Sequence, residues 1–136
     1  MALKLTLKPN ERMIIGGTVV ANGGKTGCNL IVENKTPILR QKDILNEKKA
    51  NSPCRRIYFA IQLMYIDPEN ILIHQDTYWK LVRQLLDAMP SLTGLIDRIN
   101  EHILNSKYYL ALKLAHELID YEQEVISSVN LPNTSI

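Results

Sequence analysis

Residues 3–8 read Leu-Lys-Leu-Thr-Leu-Lys, so Leu3, Leu5 and Leu7 alternate with Lys4, Thr6 and Lys8. A period of two predicts a half-buried strand with a polar, basic outer face. Pro9-Asn10 signals a turn, and Arg12 to Ile15 reads as a second strand. Gly16-Gly17 turns the chain into a third, Thr18 to Ala21, and Asn22-Gly23-Gly24 is a hairpin signal. Cys28 to Glu33 is a fourth strand, linked by Asn34-Lys35-Thr36 to a short fifth from Pro37 to Arg40. All glycines but Gly94 precede residue 28, where the tight turns are.

The pattern then changes. Asn46 to Ser52 is polar and reads as a joint. Ser52-Pro53 is an N-cap followed by proline at the first helical position, opening a helix to about Tyr65. Asp67-Pro68 repeats the device for a second helix with Ile71, Tyr78, Leu81, Val82, Leu85 and Leu86 as its apolar stripe. Pro90-Ser91 starts a third, carrying Leu95, Ile96, Ile99, Ile103 and Leu104 at three- and four-residue spacing. Ser106 is the expected cap of a fourth, lined by Tyr108, Leu112, Ala115, Leu118, Ile119, Val125 and Ile126. Ser127 to Ile136 is aperiodic and is expected to be a flexible tail. Strands followed by helices predict an α+β protein: a small antiparallel five-stranded β segment over 1–46, then a bundle of about four helices over 52–126.

With 136 residues, 46% apolar and 22% charged, the chain has the make-up of an ordinary globular protein. Its longest mostly apolar run, Ile57 to Ile66, contains Gln62 and is too short to span a bilayer. Lys4 and Lys8 interrupt any N-terminal signal core. Cys28 and Cys54, with no second ligand pair nearby, read as reduced thiols. The net charge of +2 conceals an asymmetry. Up to Arg56 there are eleven Lys and Arg against four Asp and Glu, net +7; beyond it five face ten, net −5. A basic half joined to an acidic half suits one surface for a polyanion.

No catalytic constellation is visible. His74, His102 and His116 lack zinc-like spacing, no serine sits in a nucleophile turn, and neither glycine pair has phosphate-loop spacing. Glu117, Glu122 and Glu124 read as a solvated helix face. The first aromatic residue is Tyr58, so the β segment has no rings on which to stack bases. Nucleic-acid binding there would rest on Lys and Arg, backbone groups and apolar packing. Unpaired RNA offers base edges for such contacts. The outer face of the first strand carries Lys4, Thr6 and Lys8, and the last strand ends in Arg40 and Lys42. An arginine fork grips a guanine or a phosphate with two parallel bonds, while lysine is a point charge. Two alternatives stand: Lys4 and Lys8 as guards of an edge strand against aggregation, and Arg40 paired with Asp43 or capping the joint. Arg55 and Arg56 open a helix against its dipole, which favours a phosphate or acidic partner there.

From Leu3 to about Ile126 the chain resembles the flagellar biosynthesis repressor family FlbT. The marks are Leu3-Lys4-Leu5, Arg12-Met13-Ile14-Ile15-Gly16, Pro37-Ile38-Leu39-Arg40 and Lys42-Asp43-Ile44-Leu45. They continue with Arg56-Ile57-Tyr58, Gln62-Leu63-Met64-Tyr65, Asn100, His102-Ile103-Leu104 and Ala111-Leu112-Lys113. The resemblance implies a small cytoplasmic regulator, and the missing catalytic constellation makes a non-enzymatic protein without a cofactor the expectation. It would associate with the 5′ untranslated region of flagellin mRNA, lower its translation and hasten its decay. It also implies a functional relation with the flagellar protein FlaF. The first 45 residues further resemble the carbon storage regulator, an interlocked dimer that grips a GGA-containing RNA loop. Leu3, Leu5, Thr6, Glu11, Ile15 and Gly16 match its first two strands. This second resemblance implies RNA-binding roles for Leu5, Thr6, Lys8 and Arg40, and a possible homodimer. Leu7 stands where that family usually has arginine, and three residues separate Arg40 from Ile44 where it has two.

The expected RNA-binding residues are therefore Lys4, Leu5, Thr6, Lys8, Arg40 and Lys42. The alternative is an adaptor or chaperone acting through FlaF or flagellin, with Tyr78, Trp79, Tyr108 and Tyr109 of the acidic helices as the partner contact.

Overall fold

Leucine alternation at the start of the chain becomes strand β1 (Leu3–Leu7) in the computed structural model, which describes residues 2–130. The other strands are β2 (Arg12–Ile15), β3 (Thr18–Ala21), β4 (Cys28–Val32) and β5 (Ile38–Arg40). Together they form one unit, Met1–Ile44; Leu45–Ile136 form a second.

In the β unit the strands make two sheets. β1 pairs antiparallel with β4, and β2 lies between β3 and β5, antiparallel to both. The β2–β3 link is Gly16-Gly17, with φ of 57° and 85°. Two positive φ values define the type I′ turn whose twist suits a two-residue hairpin. A Cβ on Gly16 would lie 2.8 Å from the Thr36 hydroxyl, so no other residue fits without a shift. Pro9-Asn10 turns as expected, Asn10 taking φ 64° and the Glu11 N–H donating to the Lys8 carbonyl (3.0 Å).

Asn22-Gly23-Gly24 does not close a hairpin, which corrects the expectation. β3 ends there, and the chain crosses to the other sheet to become β4. The Asn22 side chain decides this. Its Nδ2 donates to the carbonyls of Leu7 and Thr26 (2.9 Å each), and its Oδ1 accepts from the Gly24 N–H (2.9 Å). A side-chain amide that satisfies backbone groups of separate segments replaces the ladder a hairpin would have made. The buried side chains of this unit are Leu7, Met13, Ile14 and Leu39, together with the acidic Asp43. Met13 and Ile14, adjacent on the middle strand and so on opposite faces of the sheet, are both buried.

The helical unit contains α1 (Pro53–Ile66), α2 (Ile71–Ala88), α3 (Thr93–Leu104) and α4 (Tyr108–Asn130). α1 packs on α2 and α4, and α3 packs on α4. Cys54, Ile57, Ile61 and Met64 fall on one side of α1 by helical spacing and are buried, facing a core that includes Tyr78, Ile96, Ile99, Ala111, Leu112, Ala115 and Leu118. Full burial of one such aliphatic side chain is worth about 1.5–3 kcal/mol.

Three helix starts differ from expectation. Asp67 and Pro90 lead into single turns of 3-10 helix, Pro68–Asn70 and Pro90–Leu92, before α2 and α3 begin. Instead of capping backbone N–H groups, the Asp67 carboxylate accepts from Asn70 Nδ2 (3.0 Å) and meets His74 Nε2 (2.9 Å). These bonds hold its carboxyl below the usual range. Ser106 does not cap α4 with an extended backbone; it has φ 57° and ends α3. Its N–H donates to Ile103 O (3.0 Å) and that of Lys107 to His102 O (2.8 Å), the bond pair of a Schellman motif, with serine where glycine is usual. Leu104 is 76% exposed, because one further residue rotates it off the Ile96–Ile99–Ile103 line. α4 runs on to Asn130, so Ser127–Asn130 are helical rather than tail; two serines and an asparagine weaken a helix only mildly. The rest of the expected tail, 131–136, lies outside the described residues. No described helix is long and apolar enough to cross a membrane.

Candidate nucleic-acid interface

β1 pairs with β4 so that Lys4 faces Ile31 and Thr6 faces Asn29 on one side of the ribbon. Leu3, Leu5 and Leu7 face Val32, Leu30 and Cys28 on the other. Lys4 and Thr6 are exposed, and the Thr6 hydroxyl donates to Asn29 Oδ1 (3.2 Å). Leu5 is half-buried on the apolar side, so of the expected set it is the member whose side chain does not share the Lys4 face. Lys8 lies past the end of β1 in the Lys8–Glu11 turn, where its N–H donates to Glu11 Oε1 (2.8 Å). It remains exposed, although off the strand.

Arg40 ends β5, and its Nη2 donates to the Thr6 carbonyl (2.9 Å). This bond reaches from one sheet to the other and brings the guanidinium to the middle of β1. Lys42 is exposed in a turn of 3-10 helix, Gln41–Asp43, where the Gln41 side chain accepts from the Arg12 N–H (2.7 Å). Lys4, Thr6 and Arg40 are thus gathered around β1, while Lys8 and Lys42 lie at the ends of β1 and β5.

Dividing the chain at Ile44 alters the charge asymmetry. The β unit holds seven Lys and Arg against three Asp and Glu, net +4; the helical unit holds nine against eleven, net −2. Lys48, Lys49, Arg55 and Arg56 belong to the helices, and Arg55 has an acidic partner inside its own unit. Its Nη1 lies 3.5 Å from Glu122 Oε1, and its Nη2 donates to Gln123 (2.8 Å). Glu122 is no solvated face residue. It accepts from the Ser52 hydroxyl (2.5 Å) and the Cys54 N–H (3.1 Å), closing the first turn of α1 from α4. A carboxylate at a helix N-terminus satisfies orphan donors and favours the dipole. Burial, reinforced by Glu122, pushes the Cys54 thiol up to about 12, a poor nucleophile at neutral pH.

The aromatic candidates separate likewise. Tyr78 is fully buried, with its hydroxyl donating to Asn100 (2.5 Å); it ties α2 to α3 and presents nothing to a partner. Trp79 and Tyr109 are each 38% exposed, and Tyr108 is half-buried. Lys113 lies over the Tyr109 ring at 5.8 Å.

Sequence reasoning missed Asn22, Asn29, Gln62 and Glu122. Gln62 had shown itself as the polar break in an apolar run and as part of a family block, with no role assigned to its side chain. It is buried, accepts from the Leu45 N–H (2.8 Å) and donates to the Leu45 carbonyl (3.1 Å). Among the described residues no group of three or more His, Cys, Asp or Glu is placed to hold a metal.

These observations define an α+β protein with a small cationic two-sheet unit and a helical unit whose polar groups serve its own fold. The family model described as "Flagellar protein FlbT" matches residues 3–126. "Probable flagellum biosynthesis repressor protein FlbT 1" of Bradyrhizobium diazoefficiens is 46% identical over 125 residues, covering 92% of this chain and 85% of that one. "Probable flagellum biosynthesis repressor protein FlbT" of Rhodopseudomonas palustris TIE-1 is 39% identical over 127 residues, covering 93% and 99%. "Flagellum biosynthesis repressor protein FlbT" of Caulobacter vibrioides is 34% identical over 132 residues, covering 96% and 93%. The chain belongs to the FlbT family. No solved structure matches it.

Proposed function

We propose that this chain is a non-enzymatic, cytoplasmic regulator of flagellum biosynthesis that binds the 5′ untranslated region of flagellin mRNA through its β unit. The names of its relatives support a repressor. The observation that carries the RNA reading is the bond from Arg40 to the Thr6 carbonyl, which gathers a guanidinium and Lys4 around one strand. Occupying the leader blocks ribosome loading and leaves the message open to nucleases that the protein does not itself supply. A second copy of the chain is the proposed partner for the edges of β1 and β5 that pair with no other strand among the described residues. Open edges of this kind are templates for another strand.

Equilibrium titration of flagellin leader RNA tests this. Affinity should fall with salt at a slope of about 0.7 per single-strand phosphate contact. Arg40→Ala should cost about 1–3 kcal/mol if the fork reads a base. Unchanged affinity in Arg40→Ala and in Lys4→Ala/Lys8→Ala would remove the site. Sedimentation velocity reads the dimer.

The adaptor reading has its own observation. Leu72 and Ile73 at the start of α2 are 77% and 64% exposed, and a groove of about 370 Å³ between α1 and α2 is lined by Arg56, Phe59, Leu63, His74 and Leu81. Leader binding that appears only when FlaF is added would favour it.

A further inference from the structure

Resting on the nucleic-acid reading above, a second feature of the β1–β4 ribbon assigns a base reader. Lys4, Thr6, Asn29 and Ile31 form a two-by-two patch, since Lys4 opposes Ile31 and Thr6 opposes Asn29. Directly opposed side chains in an antiparallel pair have Cβ atoms about 5 Å apart. A hollow of about 420 Å³ lies over these four residues and the flanking Leu5 and Leu30. Its chemistry is graded. Ile31 is 61% exposed, an apolar platform on a strand that could have placed a polar residue there. Lys4 adds an ammonium that pairs with no carboxylate among the described residues.

Asn29 is the informative member. Its Oδ1 accepts from the Thr6 hydroxyl (3.2 Å), which orients the amide. Both hydrogens of Nδ2 are left without an acceptor among the described residues. An amide nitrogen held in this way offers two donors to a ligand that presents carbonyl oxygens. The β unit carries net +4, so the complementary ligand is anionic. A single-stranded RNA nucleotide meets all three conditions. Its phosphate suits Lys4, its ring face suits Ile31, and a base with keto oxygens suits Asn29.

We propose that Asn29 is a specificity-determining residue that donates to the keto oxygens of an unpaired uracil or guanine packed on Ile31, with Lys4 on the adjoining phosphate. Adenine can accept at N1 or N7, but its neighbouring 6-amino group then needs an acceptor and Asn29 Oδ1 is already engaged by the Thr6 hydroxyl, so bases with keto oxygens are preferred.

The test compares oligouridylate with oligoadenylate of equal length, titrated into the full chain and its variants. Asn29→Ala should reduce the uridylate-to-adenylate preference about tenfold while leaving the salt slope unchanged. Lys4→Ala should weaken both RNAs alike and lower the slope by about 0.7. Asn29 is exposed, so circular dichroism of the variant should match that of the wild type. If the wild type binds and Asn29→Ala keeps the preference, the base-reading assignment is overturned while RNA binding stands. If the wild type binds neither RNA at low salt, the nucleic-acid reading falls and this inference with it.

Discussion

The two units differ in how their polar side chains are used. In the helical unit the informative polar groups face inward. Gln62 clamps Leu45, Glu122 closes α1, and Tyr78 joins Asn100. In the β unit Asn22 and the buried Asp43 are the inward exceptions; Lys4, Thr6, Lys8, Asn29 and Lys42 all stay exposed, while four buried apolar side chains hold the sheets together. Among the described residues the helical unit buries seventeen. A 44-residue unit with so little interior is near the size below which extra support is needed. The contrast teaches that the helices are built for internal order and the strands for display, which is why the proposed ligand and the second copy are both assigned to the strands.

That comparison can be broken most directly in the thin core. Leu39 is fully buried on β5, and Leu39→Ala should cost about 2–5 kcal/mol. Urea unfolding should show loss of the β unit and of RNA affinity, with helical ellipticity kept; a single shared transition would mean the units do not fold separately. Next comes the buried clamp. Gln62→Leu strands the Leu45 N–H and carbonyl and should cost about 1–3 kcal/mol, read as a lower urea midpoint of the helical transition at unchanged leader affinity.

The thiols sharpen the contrast further. Cys54 is buried and protonated up to about 12, whereas its usual value is 9.0. Above pH 9 the unfolded chain releases a proton that the folded chain keeps, so stability should fall as pH rises from 9 towards 12. Cys54→Ala should remove that slope. At neutral pH a thiol reagent should modify half-buried Cys28 in the native protein and Cys54 only on unfolding. The smallest effect belongs to a turn: Ser106→Gly relieves a left-handed backbone and should raise helical stability by about 0.5–1 kcal/mol in thermal melts.

Much of the architecture was legible because it follows from local periodicity. Leu3, Leu5 and Leu7 alternate, Ser52-Pro53 is a start signal, and Ile96, Ile99 and Ile103 recur at helical spacing, each within a few residues of chain. Lys4, Thr6 and Arg40 were legible as candidates by charge and placement. Their meeting was not, because the Arg40–Thr6 bond joins residues 34 apart and depends on how two sheets approach. Glu122 misled for the same reason: its acid character is local, but its partners Ser52 and Cys54 are 70 and 68 residues away.

The sequence by itself determined which stretches become strands or helices, the turn at Gly16-Gly17 and the basic bias of the opening segment, since each depends on sterics, pattern and charge between near neighbours. Tertiary structure alone decided that Asn22 divides the strands into two sheets, that Gln62 and Glu122 serve the interior, and that Asn29 stands beside Thr6. Those outcomes depend on long-range hydrogen bonding, where a polar group takes whichever partner the folded chain brings within about 3 Å.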